Sequence, residues 1–134
     1  MKVLEGKVTS KFGKRVHPVT GKESFHNGVD VGCAIGTEVM CPADGVVKAA
    51  YEHETGGKTL IVGAGDRRYG FCHLSKVFWS VGTKVYKGEI IALTGATGRI
   101  TGAHCHYTVK DGGRWNGNEY VGGEWLDAVK FLNV

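Results

Sequence analysis

Twenty-two glycines, scattered singly and in pairs through 134 residues without a fixed period, set the strongest limit on how this chain can fold. Such spacing cuts a chain into short segments joined by tight turns; a collagen repeat or a disordered linker has a different pattern. Glycine inside a helix costs about 1 kcal/mol relative to alanine, so little of the chain can be long helix. The segments between the glycines are rich in valine, threonine, tyrosine and phenylalanine, which favour the pleated conformation. The expectation is a mainly β fold, a single domain of antiparallel strands. With 42% hydrophobic residues, a chain of this length can bury a core of its own.

Read in order, residues 6–10 form a strand and 12–22 a loop with a turn at Thr20-Gly21. Residues 36–40 and 46–51 flank a turn at 42–45, and 54–58 form a hairpin loop before a strand at 59–63. Residues 69–75 alternate, with Tyr69, Phe71 and His73 predicted on one face and Cys72 and Leu74 on the other. A short strand precedes the Lys87-Gly88 turn, an apolar strand follows it, and 114–116 supply one more. Only residues 124–132 read as helix, because Trp125, Ala128, Val129 and Leu132 fall at i, i+3, i+4 and i+7. No domain boundary interrupts residues 1–134.

The formal charge of +4 is spread over Lys11, Lys14, Arg15, Arg67, Arg68, Lys84 and Lys87 and other positions, with no basic block. That distribution argues against a nucleic-acid partner and suits anionic cell-wall polymers. No apolar run reaches the length of a membrane span. Cys33, Cys41, Cys72 and Cys105 show no CxxC spacing and read as reduced, buried thiols.

The chemistry concentrates in a few histidines. His104 and His106 lie two apart in the strand-like stretch 102–109, on one face and with Cβ atoms roughly 6.5–7 Å apart; Cys105 and Tyr107 face the other way. His26 and Asp30 are four apart, but Gly28, Val29 and Val31 argue against a helix. In a straight strand they would be roughly 13 Å apart, so sharing one ion requires a bend, which Gly28 is best suited to allow. His73 ends its strand as a functional base or a rim residue. His17, before Pro18, reads as a turn residue and His53 as a solvated one. The Gly/Thr-rich segment 94–102 lacks the Gly-Lys-Ser/Thr ending and following helix of a phosphate-binding loop. Two histidines, one carboxylate and an open water position make a well-attested ligand set for catalytic zinc.

In five places, in order along nearly the whole chain, the sequence resembles the lysostaphin-type (LytM-like) zinc metallopeptidases, which cleave peptidoglycan peptides. Residues 10–21 are similar to the family's opening loop. His26-Asn27-Gly28-Val29-Asp30 matches its His-x-x-x-Asp motif, His73-Leu74-Ser75 its central histidine motif, and His104-Cys105-His106 its His-x-His motif. Residues 36–47 are similar to its first long hairpin. The resemblance implies a lysostaphin-like catalytic domain over 1–134 holding one Zn2+ through His26, Asp30 and His106. It implies His73 and His104 as the pair that activates water and stabilises the tetrahedral intermediate. The implied substrate is a peptidoglycan stem or cross-bridge peptide, with no nucleic-acid or membrane partner. Departures fall at flanking positions: Phe71 where tyrosine is common, and Cys105, Tyr107 and Thr108 where leucine, phenylalanine and glutamate are frequent.

Two other readings compete. A catalytically silent binding or regulatory module with the same fold would lack some of the five residues, and none is missing. A cysteine peptidase would use Cys72 or Cys105, which alternation turns away from the adjacent histidines. Residues 1–6 lack the apolar segment of an export signal, and no wall-targeting module is recognisable. The expectation is therefore a bacteriolytic, endolysin-like enzyme, phage-encoded or made in the cytoplasm and acting on the wall, or an excised module of an exported protein. Segments 11–25 and 94–103 are the expected walls of the substrate groove.

Overall fold

The computed structural model describes residues 1–98 and 102–134. Arg99, Ile100 and Thr101, part of the expected groove wall 94–103 and of the segment leading into the His-x-His motif, lie outside the described residues. The strands are β1 (Lys7–Ser10), β2 (Gly13–Val16), β3 (Glu23–His26), β4 (Gly28–Gly32), β5 (Glu38–Met40), β6 (Gly45–His53) and β7 (Gly57–Ala64). They continue with β8 (Arg67–Val77), β9 (Lys84–Val85), β10 (Ile90–Thr94), β11 (His104–Asp111), β12 (Arg114–Trp115), β13 (Tyr120–Val121) and β14 (Glu124–Leu126). Every pairing is antiparallel, and the main sheet runs β1-β4-β11-β8-β7-β6-β9, with β10 against β5 and β8 and β14 against β11. The hairpins β2–β3 and β12–β13 stand apart from it. No helix is long and apolar enough to cross a membrane among the described residues.

Strand alternation makes the core. Val29 and Val31 of β4, Leu60 and Val62 of β7, Tyr69 and Phe71 of β8, and Cys105, Tyr107 and Val109 of β11 are buried on one face of the sheet. Val3, Val39, Val47, Val85 and Ile91 close over them. The Tyr107 and Phe71 rings stack at 4.9 Å and 9°, an arrangement that adds about 0.5–1.5 kcal/mol beyond burial. The Tyr107 hydroxyl donates to the Phe131 carbonyl at 3.1 Å, so the larger residue at this position keeps its polar atom satisfied. The chain ends are tied together: Val3 N–H donates to Leu132 O and Val134 N–H to Met1 O.

Three expectations change. Residues 12–22 are no simple loop, because Gly13–Val16 pairs with Glu23–His26 as a hairpin. Its turn is as read: Gly21 takes a φ of 70°, and His17 Nδ1 accepts from the Val19 and Thr20 amides. Residues 124–132 are not one helix. Glu124–Leu126 extends along β11, Lys110 facing Trp125, and only Ala128–Phe131 forms a single 3-10 turn, capped by Asp127. A nine-residue helix is marginal by itself, and the stretch of β11 beyond the reach of β4 offers ladder hydrogen bonds instead.

The third change is at His73, which alternation put on the face of Tyr69 and Phe71. On β7 Lys58 opposes Leu74 and Leu60 opposes Phe71, so β8 carries an extra residue there, a β-bulge. His73 adopts a φ of 64°, which costs a non-glycine residue about 1–3 kcal/mol. Leu74 thereby reaches the core, while His73 turns to the opposite face beside Cys72.

Candidate metal centre and active site

The face opposite the core is built by the three central strands. β11 lies between β4 and β8, and His106 is opposed by Asp30 on one side and Cys72 on the other. Thr108 is opposed by Gly28 and Gly70, two positions where an added Cβ would collide with Thr108. The chain turns at Asn27: His26 ends the β2–β3 hairpin and Asp30 lies within the main sheet. The bend needed between them therefore comes from a change of strand. Gly28 serves it by close approach, since its missing side chain lets β4 lie against the Tyr107 carbonyl without a positive φ.

Hydrogen bonds fix which nitrogen each histidine presents. His26 Nδ1 is 2.9 Å from Lys11 O, His73 Nδ1 2.8 Å from Thr97 O, and His104 Nδ1 3.0 Å from Gly102 O. A carbonyl only accepts, so each Nδ1 carries the proton and each Nε2 keeps its lone pair. His106 is held the other way round: its Nε2–H donates to Asn27 Oδ1 at 2.9 Å, leaving Nδ1 2.9 Å from Asp30 Oδ1. Two acceptors at that distance require a proton or a metal ion between them.

Ligand atoms of His26, Asp30 and His106 all lie within 4.8 Å of one another. His26 Nε2 is 3.6 Å from Asp30 Oδ2. Donors about 2.0–2.1 Å from a tetrahedral zinc are roughly 3.3 Å apart, a value that the 2.9 Å His106–Asp30 and 3.6 Å His26–Asp30 separations bracket. Beside them, His104 Nε2 is 3.7 Å from Asp30 Oδ1, and the His73 and His104 rings meet edge to face at 4.8 Å. All five predicted residues thus line one open cleft of about 650 Å³.

Electrostatics keep these groups in useful protonation states. Burial lowers the His26 and His73 pKa values, against hydrogen bonds to Lys11 and Thr97 that act to raise them, and so favours neutral imidazoles. Burial by itself would raise Asp30; the hydrogen bond from His106 and the nearby histidines outweigh it and hold the carboxyl below its ordinary value. His73 is clamped from behind, because Thr97 also donates its hydroxyl to Leu74 O and accepts from Lys58 N–H. Cys72 shares this cleft, contrary to the alternation reading, but burial raises its thiol pKa and keeps it a poor nucleophile. Cys105 is fully buried in the core, as expected, and all four cysteines are free thiols. Asn27 and Arg68, which also line the cleft, carried no signal in the local pattern.

The profile of Peptidase family M23 matches residues 24–119, from β3 to the β12–β13 hairpin. The chain belongs to peptidase family M23. The peptidoglycan DD-endopeptidase ShyA of Vibrio cholerae is 40% identical over 112 residues, 81% of this chain and 26% of that protein. A zinc containing peptidase from Vibrio cholerae superposes with a TM-score of 0.78 at 36% identity, covering 92% of this chain and 36% of the other. The catalytic domain of the antimicrobial peptidase lysostaphin from Staphylococcus simulans superposes with a TM-score of 0.76 at 28% identity, covering 95% of this chain and 92% of the other. This M23 chain spans about a quarter of the length of the curated relatives it matches.

Proposed function

We propose that this M23 chain is a zinc-dependent endopeptidase that hydrolyses peptide bonds in peptidoglycan stems or cross-bridges. The observation that carries the reading is the convergence of His26, Asp30 and His106 on one point, with His73 and His104 beside it. His26 Nε2, His106 Nδ1 and the Asp30 carboxylate would hold one zinc ion per chain. Bound there, zinc supplies Lewis-acid polarisation of the scissile carbonyl and lowers the pKa of a water to about 7.

The rest falls to the chain's own side chains. His104 Nε2 faces the ligand cluster and accepts the proton of the attacking water. His73, held by Thr97 O and in ring contact with His104, presents a second basic Nε2 to the cleft, and once that nitrogen is protonated in the reaction its imidazolium supports the charge on the carbonyl oxygen. Water oxygen bonds to the carbonyl carbon, the C–N bond breaks, and the proton leaves with the amine. General acid–base help of this kind is worth about 10²–10⁴-fold, or roughly 2.7–5.4 kcal/mol. The chain's net charge of +4 suits work among anionic wall polymers, at the cell wall.

Zinc analysis and turbidity loss on purified cell walls test the proposal, comparing native protein with His26→Ala and His104→Ala. Native protein clears walls, His26→Ala loses metal, and His104→Ala keeps metal and loses activity. Zinc-loaded native protein that cleaves no wall type would overturn the enzymatic reading.

A further inference from the structure

Arg68 stands where the catalytic cleft meets a second one. It lines the cleft of His106 and Thr108, and also a neighbouring cleft of about 640 Å³ walled by Lys48, Tyr51, Lys110, Trp115, Tyr120 and Trp125. The guanidinium lies against the sheet where Gly70 has no side chain; a Cβ there would come within 2.8 Å of its Nη1. Nη1 donates to Thr108 Oγ1 at 2.8 Å, and the guanidinium carbon lies 5.2 Å from the Trp125 ring centroid.

These contacts orient the group without neutralising it. Its sequence neighbour Arg67 pairs with Asp111 at 3.1 Å, whereas among the described residues no carboxylate pairs with Arg68. Burial works against its charge, pushing its pKa down, yet arginine stays protonated and keeps donors to spare. A desolvated, unpaired cation is costly, and an incoming anion is what relieves it. The adjoining walls favour the same sign: Lys110 lies 4.8 Å from the Trp125 ring centroid and Lys48 6.0 Å from that of Trp115, with Glu119 as the single acid among the described residues lining that cleft.

We propose that Arg68 binds a free carboxylate of the substrate, so that this chain acts on carboxylate-bearing stem peptides in preference to neutral bridges. The inference rests on the endopeptidase reading and adds the substrate class. The placement matches. Thr108, which holds the guanidinium, is two residues along β11 from His106, roughly 7 Å in a strand. That is the reach of about two residues of extended peptide, which puts the bound carboxylate one or two residues from the scissile bond.

The test uses the zinc-loaded native protein and two synthetic cross-linked stem peptides, identical except that the carboxylate nearest the scissile bond is a carboxamide in one. Native protein cleaves the carboxylate form with about 10–100-fold higher kcat/KM, the range expected for a charge-assisted bidentate contact, with the difference mainly in KM. Arg68→Gln erases that preference, Arg68→Lys keeps part of it, and both bind zinc as native does. Equal cleavage of the two peptides by native protein, or an undiminished preference in Arg68→Gln, overturns the inference. If native protein cleaves neither peptide, the wall-clearing assay decides the endopeptidase reading, and tryptophan fluorescence titration with the same peptides decides Arg68 alone. Carboxylate-selective binding that is lost in Arg68→Gln upholds its role, and equal binding of both peptides refutes it.

Discussion

Gly28→Ala tests whether close approach at this glycine is what aligns the metal ligands. An alanine Cβ would enter the envelope of the Tyr107 carbonyl oxygen and lie 2.7 Å from Thr108 Cγ2 and 3.0 Å from Tyr107 C. Two of these three atoms are backbone of the neighbouring strand and cannot rotate away. The contact with the Tyr107 carbonyl oxygen is closer still than the 2.7 Å one to Thr108, so restoring ordinary separations near 3.4 Å takes more than about 0.7 Å of movement between β4 and β11. Asp30 and His106 oppose each other two residues along the same ladder, with Nδ1 and Oδ1 2.9 Å apart, so the displacement reaches the ligand set. Overpacking of this kind costs about 1–3 kcal/mol. At roughly 3–4 °C per kcal/mol for a chain of this size, Tm should fall by about 3–12 °C. Circular-dichroism melts of zinc-free protein read the stability, and competition with a chromogenic chelator reads zinc affinity. The reasoning is refuted if Gly28→Ala melts with the native protein and holds zinc as tightly.

Asn27→Ala removes the acceptor that holds His106 Nε2–H, and zinc affinity should drop about 10–100-fold in chelator competition with little change in the melt. The zinc-free protein should lose stability as pH falls below about 6.5, read as a decreasing urea midpoint between pH 7.5 and 5.5. In that window the unfolded chain takes up protons that His26 and His73, with folded pKa values below 6.5, refuse, so stability rises with pH; a midpoint that rises on acidification contradicts this. A zinc chelator should abolish wall cleavage while iodoacetamide leaves it intact, because the Cys72 thiol stays protonated and Cys105 is enclosed.

How far the sequence could be read depended on whether a signal was local. The period of two was enough to place His104 and His106 on one face and Cys105 in the core, because β11 is regular throughout. The same rule misplaced His73, where a bulge inserts an extra residue whose left-handed backbone is stabilised by pairing with β7 and by Thr97. The one hint was Leu74, an apolar residue that strict alternation would have left on the polar face. The β2–β3 hairpin escaped because Lys14, Arg15, Ser24 and Phe25 are exposed and carry no alternating pattern. Helical spacing in 124–132 was real but short, and an open sheet edge outcompeted it. Asn27 and Arg68 owe their placement to partners 79 and 40 residues away, so no window of sequence could disclose them.

The central claim is that two histidines one residue apart do different work, His106 as a metal ligand and His104 as a proton acceptor. Zinc content of purified His104→Ala and His106→Ala, measured by plasma mass spectrometry alongside native protein, tests it most directly. The account predicts one zinc per chain in native protein and in His104→Ala, and zinc lost from His106→Ala. Equal zinc in the two variants would contradict it.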